Sequence, residues 1–191
     1  HAEEIYNILA ITGDPIPNAQ RNEVSSVYQF NSRKLAAYID SLNAEVFDEG
    51  YKIYGALNVN ARNFEVELRR AEQKIEHGIV GFLTQPVLTQ EAVENLAKAR
   101  ERLSAKILGG IIPVVSEKNA RFMDSEVNGI RVSEEIISQY VGKNREEGEQ
   151  LAVEISFDMA KKIKPYIDGY YLITPFNRVA LMEKIIEGLR E

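Results

Sequence analysis

The chain has 191 residues, a formal net charge of −6, 45% hydrophobic and 27% charged residues, and no cysteine. The missing cysteine excludes disulfides, thiolate nucleophiles and cysteine-held zinc, and with His1 and His77 as the only histidines, acid–base chemistry falls mainly to carboxylates or a cofactor. An acidic chain gains nothing from a phosphate backbone, so nucleic acid is not an expected partner; nor is a membrane, because no apolar run reaches the ~18–20 residues of a span. His1-Ala2-Glu3-Glu4 lacks the basic and apolar regions of a secretory signal, and the expectation is one cytoplasmic domain over residues 1–191, with no metal site.

Taken in chain order, short apolar runs alternate with amphipathic stretches. Ile8–Thr12 stops at Gly13-Asp14 and precedes a helical pattern over Asn31–Leu42. Ile53–Leu57 stops at Asn58 and is followed by a helix over Asn63–Glu76, closed by Gly78 as a C-cap. Val80–Leu83 stops at Thr84-Gln85-Pro86, and a helix capped by Thr89, with Glu91 in its first turn, runs to Leu103. Ile107–Ile112 stops at Pro113, with helices predicted over Glu117–Asp124, Glu134–Tyr140 and Arg145–Lys164. Tyr170–Ile173 stops at Thr174-Pro175, and Val179–Leu189 forms the last helix.

The apolar runs are too short for buried helices and suit strands buried on both faces. Strand then helix, repeated, predicts an α/β fold: a parallel sheet with helices outside it. The polar residues sit where strands end, the face that carries active sites in (β/α)8 barrels and ligands in doubly wound sheets. No G-x-G-x-x-G follows a strand, which argues against a dinucleotide-binding doubly wound fold. Five runs fall short of the eight strands and ~250 residues of a whole barrel, leaving an open sheet or part of a barrel.

Four segments carry a resemblance: Asn7–Pro15, Gly78–Pro86, Gly109–Pro113 and Thr174–Arg178. In order and approximate spacing they resemble the methylenetetrahydrofolate reductase family, over nearly the whole chain. The likeness is greatest to a bacterial subgroup in which this domain follows a homocysteine S-methyltransferase domain. That upstream domain binds zinc through cysteines, so this chain would be the reductase part alone. The resemblance implies strands four to eight of a TIM (β/α)8 barrel, without the family's proposed proton donor, a glutamate on the first strand. It implies FAD-dependent reduction of 5,10-methylenetetrahydrofolate to 5-methyltetrahydrofolate, with NADH or NADPH as donor, in one-carbon and methionine metabolism. Strands four and eight would be open edges, so a homo-oligomer is expected.

The resemblance also assigns residues. Asp14 matches an aspartate that stabilises the cationic iminium formed when the folate ring opens; read alone, Gly13-Asp14-Pro15 is a turn. Thr12 and Gly13 join Asp14 on the flavin. Gln85 would match the donors and acceptors of a pterin edge, where the plain reading is a loop glutamine capping a backbone group. Glu67, Arg70 and Lys74 share one helix face, ordinarily a solvated one. The resemblance places Lys74 on the FAD diphosphate and Glu67 on FAD, while position 73 is glutamine where some members have arginine. Gly55 and Ala56 would let the cofactor approach the strand; tight strand–helix packing explains them equally well. Phe30 and Ser32 fall where the family places flavin contacts, with Tyr28 as the alternative aromatic. Arg178 would bind an anionic part of folate or nicotinamide cofactor. Glu117 stands where many members have a stacking aromatic, a role that Phe176 could take, and Tyr170-Tyr171 reads as barrel wall. The competing readings are a non-catalytic flavin- or pterin-binding fragment, and another pterin-binding barrel such as a folate-dependent methyltransferase.

Overall fold

The computed structural model describes residues 4–12, 30–175 and 177–190. Strands and helices alternate: β1 (Asn7–Ala10), α1 (Ser32–Glu45), β2 (Lys52–Leu57), α2 (Phe64–Ile75), β3 (Ile79–Pro86), α3 (Gln90–Arg102), β4 (Lys106–Ile111), α4 (Glu117–Glu126), α5 (Glu134–Gln139), α6 (Arg145–Ile163), a 3₁₀ turn (Lys164–Tyr166), β5 (Gly169–Leu172) and α7 (Val179–Arg190). The strands form one sheet in the order β1-β2-β3-β4-β5, and every neighbouring pair is parallel. Strand order that never reverses is the layout of a TIM barrel; a doubly wound sheet changes direction partway. The fold is therefore the α/β, TIM-barrel-like arrangement, with five parallel strands.

Local chemistry sets the helix ends. Asn31, Asn63, Thr89, Ser116, Ser133 and Asn144 each stand at an N-cap, and each side chain accepts from the backbone N–H three residues on. Asn144 and Glu147 complete a reciprocal capping box at α6. Gly78 closes α2 with φ +87 and its amide on the Ile75 carbonyl at 3.0 Å. A side chain there would be strained and would press on the Asp40 carboxyl.

One face of the sheet carries the core. Ile53, Leu57, Phe82 and Ile107 are fully buried there together with Leu68, Leu96 and Ile163 from the helices. The expectation of strands buried on both faces fails on the other side. Leu9, Tyr54, Leu83 and Leu108 line an open apolar groove of about 290 Å³, and Leu9 and Tyr171 are 43% and 37% exposed. The reason is that, among the described residues, no element packs across this face.

Two strand ends also differ from expectation. β1 stops at Ala10, which leaves Thr12 free to act as an acceptor beyond the strand. β3 does not stop before Pro86, because Pro86 pairs with Gly110 after a register shift and the Val87 amide then donates to the Gly110 carbonyl at 3.1 Å. Gln85 therefore lies in a strand and not in a loop.

Candidate functional site

A cleft of about 370 Å³ opens where the end of β1, the start of α1 and the outer turns of α2 meet. Helical periodicity builds its α2 wall. Phe64, Leu68 and Ala71 are buried against the sheet, while Glu67, Arg70, Gln73 and Lys74 line the cleft. The opposite wall is Thr12 with Asn31, Ser32 and Arg33. Thr12 Oγ1 accepts from the Ser32 amide at 2.9 Å and so ties the end of β1 to the first turn of α1.

Lys74 is the deepest cation. Its Nζ donates to the Ala56 carbonyl at 2.8 Å and lies 5.9 Å from the Phe82 ring centre. Burial holds its pKa below the ordinary lysine value, Glu67 pulls it back up, and Arg70 pushes it down again. Glu67, whose side chain is 13% exposed, accepts from the Asn58 amide at 3.1 Å and lies 3.9 Å from Arg70. Across the cleft, Arg33 Nη1 donates to Gln73 Oε1 at 2.6 Å. Among the described residues the cleft thus sets three cations (Arg33, Arg70, Lys74) against one carboxylate, in a chain whose net charge is −6. Its chemistry is that of an anion site with hydroxyl and carboxylate groups at hand, which fits a dinucleotide-type cofactor such as FAD.

A second cluster lies at the ends of β2 and β3. Asn60 Nδ2 donates to the Pro86 carbonyl at 3.0 Å and the Gly129 carbonyl at 2.9 Å, and its amide donates to Asn58 Oδ1 at 3.0 Å. Asn60 Oδ1 is buried with no hydrogen-bond partner among the described residues. The Gln85 carboxamide lies beside Gly129: a Cβ on Gly129 would stand 3.4 Å from both Gln85 and Asn58 side-chain atoms. Thr84 Oγ1 donates to the Gln85 carbonyl at 2.9 Å and accepts from the Gly110 amide at 2.8 Å, fixing the backbone of Gln85.

The structure therefore brings Thr12, Ser32, Glu67 and Lys74 into one cleft, with Ala56 present through its carbonyl. Gly55 does not join them. A Cβ there would come within 2.8 Å of Ile79 and 3.2 Å of Phe82, so its small size serves packing in the core. Phe30 is also absent from the cleft lining; it is 47% exposed, and its ring centre is 5.8 Å from that of Tyr38. Arg178 lies elsewhere, ion-paired with Glu149, which also meets Arg145 at 3.2 Å. Glu117 is engaged with Arg121 at 3.0 Å. Gly13, Asp14, Tyr28 and Phe176 lie outside the described residues. Sequence reasoning missed Arg33, Gln73 as its acceptor, and the Asn58–Asn60 pair; the one signal for the last was the stop of an apolar run at Asn58.

The family model for methylenetetrahydrofolate reductase matches residues 1–190. A solved structure, described as an uncharacterized protein from Clostridium thermocellum that binds two copies of 5-methyl-5,6,7,8-tetrahydrofolic acid, is similar in fold with a TM-score of 0.52. The two are 18% identical, and the match covers 78% of this chain and 55% of that one, so this chain spans little more than half of that protein's length. No curated protein matches the sequence.

Proposed function

Because the chain belongs to the methylenetetrahydrofolate reductase family, we propose that it forms part of an enzyme reducing 5,10-methylenetetrahydrofolate to 5-methyltetrahydrofolate, with FAD in the Lys74 cleft and NADH or NADPH as electron donor. The observation that carries this reading is the cationic cleft itself, which gathers Thr12, Ser32, Glu67 and Lys74. Bound there, FAD would supply the hydride chemistry that no side chain can. Lys74 would hold a phosphate oxygen through N–H groups not used by Ala56, at a position where partial burial strengthens the attraction. Glu67, an acceptor already fixed by the Asn58 amide, would take a hydroxyl of the cofactor.

The folate would lie toward Gln85, whose carboxamide can donate to and accept from a pterin edge while remaining neutral. Asp14 would provide the negative charge that stabilises the cationic iminium. The methyltetrahydrofolate bound by the Clostridium thermocellum protein supports a reduced folate as the ligand class. The same proposal includes a cytoplasmic setting in which an upstream homocysteine S-methyltransferase domain takes the methyl group onward to methionine. A second reading, binding without turnover by this chain alone, is favoured by the open groove at Leu9, Tyr54, Leu83 and Leu108.

The test is reconstitution. The purified chain, mixed with FAD and desalted, is expected to keep flavin absorbance near ~450 nm and to bind methyltetrahydrofolate. Loss of all flavin on desalting, with no binding in titration, would overturn the FAD assignment. Methylenetetrahydrofolate-dependent oxidation of NAD(P)H separates the catalytic reading from the binding-only one.

A further inference from the structure

Arg100, Arg102 and Arg121 each meet a carboxylate on the surface of this protein. Arg33 meets a carboxamide instead, at 2.6 Å, and among the described residues no carboxylate pairs with it. The difference matters for charge. A carboxylate partner fixes a guanidinium and cancels its charge, whereas a neutral acceptor fixes it and leaves the charge whole. Arg33 is thus oriented by Gln73, undiminished, at the rim of a cleft whose far wall carries Lys74.

The surroundings add to the effect. Arg33 lies in the first turn of α1, a 14-residue helix with no acidic residue in that turn, so the helix start is met by the neutral acceptors Asn31 and Thr12 and no first-turn carboxylate offsets its positive end. Two cations on two different helices, on opposite walls of one cleft, suit a ligand with two linked anionic groups.

We propose that Arg33 is a second cationic contact for a diphosphate in this cleft, one phosphate facing Lys74 and the other Arg33, and that Gln73 is the positioning residue that aims it. The proposal rests on the reading that FAD occupies the cleft. It also accounts for the glutamine at position 73: the cation comes from α1, and the α2 residue holds it in place.

The test measures Kd values of the full chain for FAD, riboflavin and inorganic pyrophosphate. Arg33→Gln is expected to weaken FAD about tenfold or more, the loss of a charge-assisted contact, and to leave riboflavin, which has no phosphate, unchanged. Gln73→Glu keeps an acceptor for Arg33 but cancels its charge, and is expected to weaken FAD and pyrophosphate while the melting temperature holds. Adding Gln73→Ala to Arg33→Gln is expected to cost nothing further, because Gln73 acts through Arg33. No change in FAD affinity in Arg33→Gln, or equal loss for FAD and riboflavin, overturns the proposal. If the parent binds pyrophosphate but not FAD, the flavin reading fails, and the role of Arg33 is decided by whether Arg33→Gln weakens pyrophosphate. A parent that binds none of the three overturns both.

Discussion

The ammonium group of Lys74 on α2 donates to the carbonyl of Ala56 on β2 at 2.8 Å, in surroundings dry enough to hold its pKa below the ordinary lysine value. A lysine whose charged form is disfavoured by burial gains from an anion, so FAD binding should be accompanied by proton uptake as pH approaches the lowered pKa. FAD affinity is expected to fall as pH rises toward the ordinary value of 10.5, and to fall earlier than a solvated lysine would require. Lys74→Ala should weaken FAD by about 1–3 kcal/mol and remove most of that pH dependence. Fluorescence titration across the range checks both; a parallel pH profile in the variant would remove Lys74 from the cofactor site.

The same shift has a stability consequence. The folded state holds its Lys74 proton less tightly than the unfolded chain, so the burial penalty is present at neutral pH. It is relieved as pH climbs through the folded pKa toward 10.5. The ligand-free parent should therefore gain stability over Lys74→Met through that window. Urea denaturation at neutral and alkaline pH measures the difference, and a gap that widens against the parent as pH rises contradicts it.

Asn60 joins the end of β3 to the loop at Gly129 through one amide group. Asn60→Ala is expected to destabilise the protein by about 1–3 kcal/mol, the range for losing buried hydrogen bonds and leaving their acceptors unmet. Methyltetrahydrofolate binding should weaken with it, because Gln85 lies against the same loop. FAD binding should not change. Calorimetry with each ligand separates the two effects, and equal loss of both would mean general unfolding.

Gly110 allows no side chain. A Cβ there would stand 2.7 Å from the Thr84 carbonyl oxygen and 3.0 Å from that of Gln85, both backbone atoms. Gly110→Ala should destabilise by about 1–3 kcal/mol or more through forced backbone shifts, and should lower folate affinity. A melting temperature equal to the parent's would show that β3 and β4 can part without loss.

What the sequence made legible was whatever its short-range chemistry controls. Thr89 and Gly78 mark helix ends because a hydroxyl and a missing Cβ act on backbone groups within a turn. Glu67 and Lys74 were legible as neighbours because helical spacing alone places them on one face. Contacts between distant residues were not: Arg33 and Gln73 are 40 positions apart, and Asn60 and Gly129 are 69 apart. Pro86 misled for a related reason. Its ring forbids donation, which reads as a stop, but pairing with Gly110 carries the strand as far as Pro86 itself. Gly55 was ambiguous by itself, and the identity of its neighbours, Ile79 and Phe82, decided it.

Arg178 is held by Glu149, so any anion it receives must displace that carboxylate. Glu149→Gln should leave the guanidinium's charge uncancelled and tighten methyltetrahydrofolate binding severalfold if Arg178 contacts the anionic part of the folate. Arg178→Ala should then erase the gain. Unchanged affinity in Glu149→Gln would leave Arg178 as a brace between α6 and the start of α7.

The groove at Leu9, Tyr54, Leu83 and Leu108 exposes apolar surface on the face a closed barrel would fill. The chain is expected to self-associate with rising concentration, and Leu9→Lys, at the edge strand, should shift it toward monomer. Sedimentation velocity over a concentration series reads this directly; a parent that stays monomeric throughout refutes the association.

The capped helix starts have a bearing on encounter rates. α1 to α4 each follow a parallel strand, and their N-caps Asn31, Asn63, Thr89 and Ser116 therefore all stand at the same end of the sheet. First-turn carboxylates offset the positive dipole ends of α2 (Glu65, Glu67), α3 (Glu91) and α4 (Glu117), whereas α1 has none, so on a chain that repels anions at long range the helix end left without one is the end that borders the Lys74 cleft. An approaching anionic dinucleotide or folate is turned away from most of the surface and drawn to one rim. Raising the salt concentration weakens both the repulsion and the attraction, so capture of such ligands should depend on ionic strength far less than net charge alone would suggest.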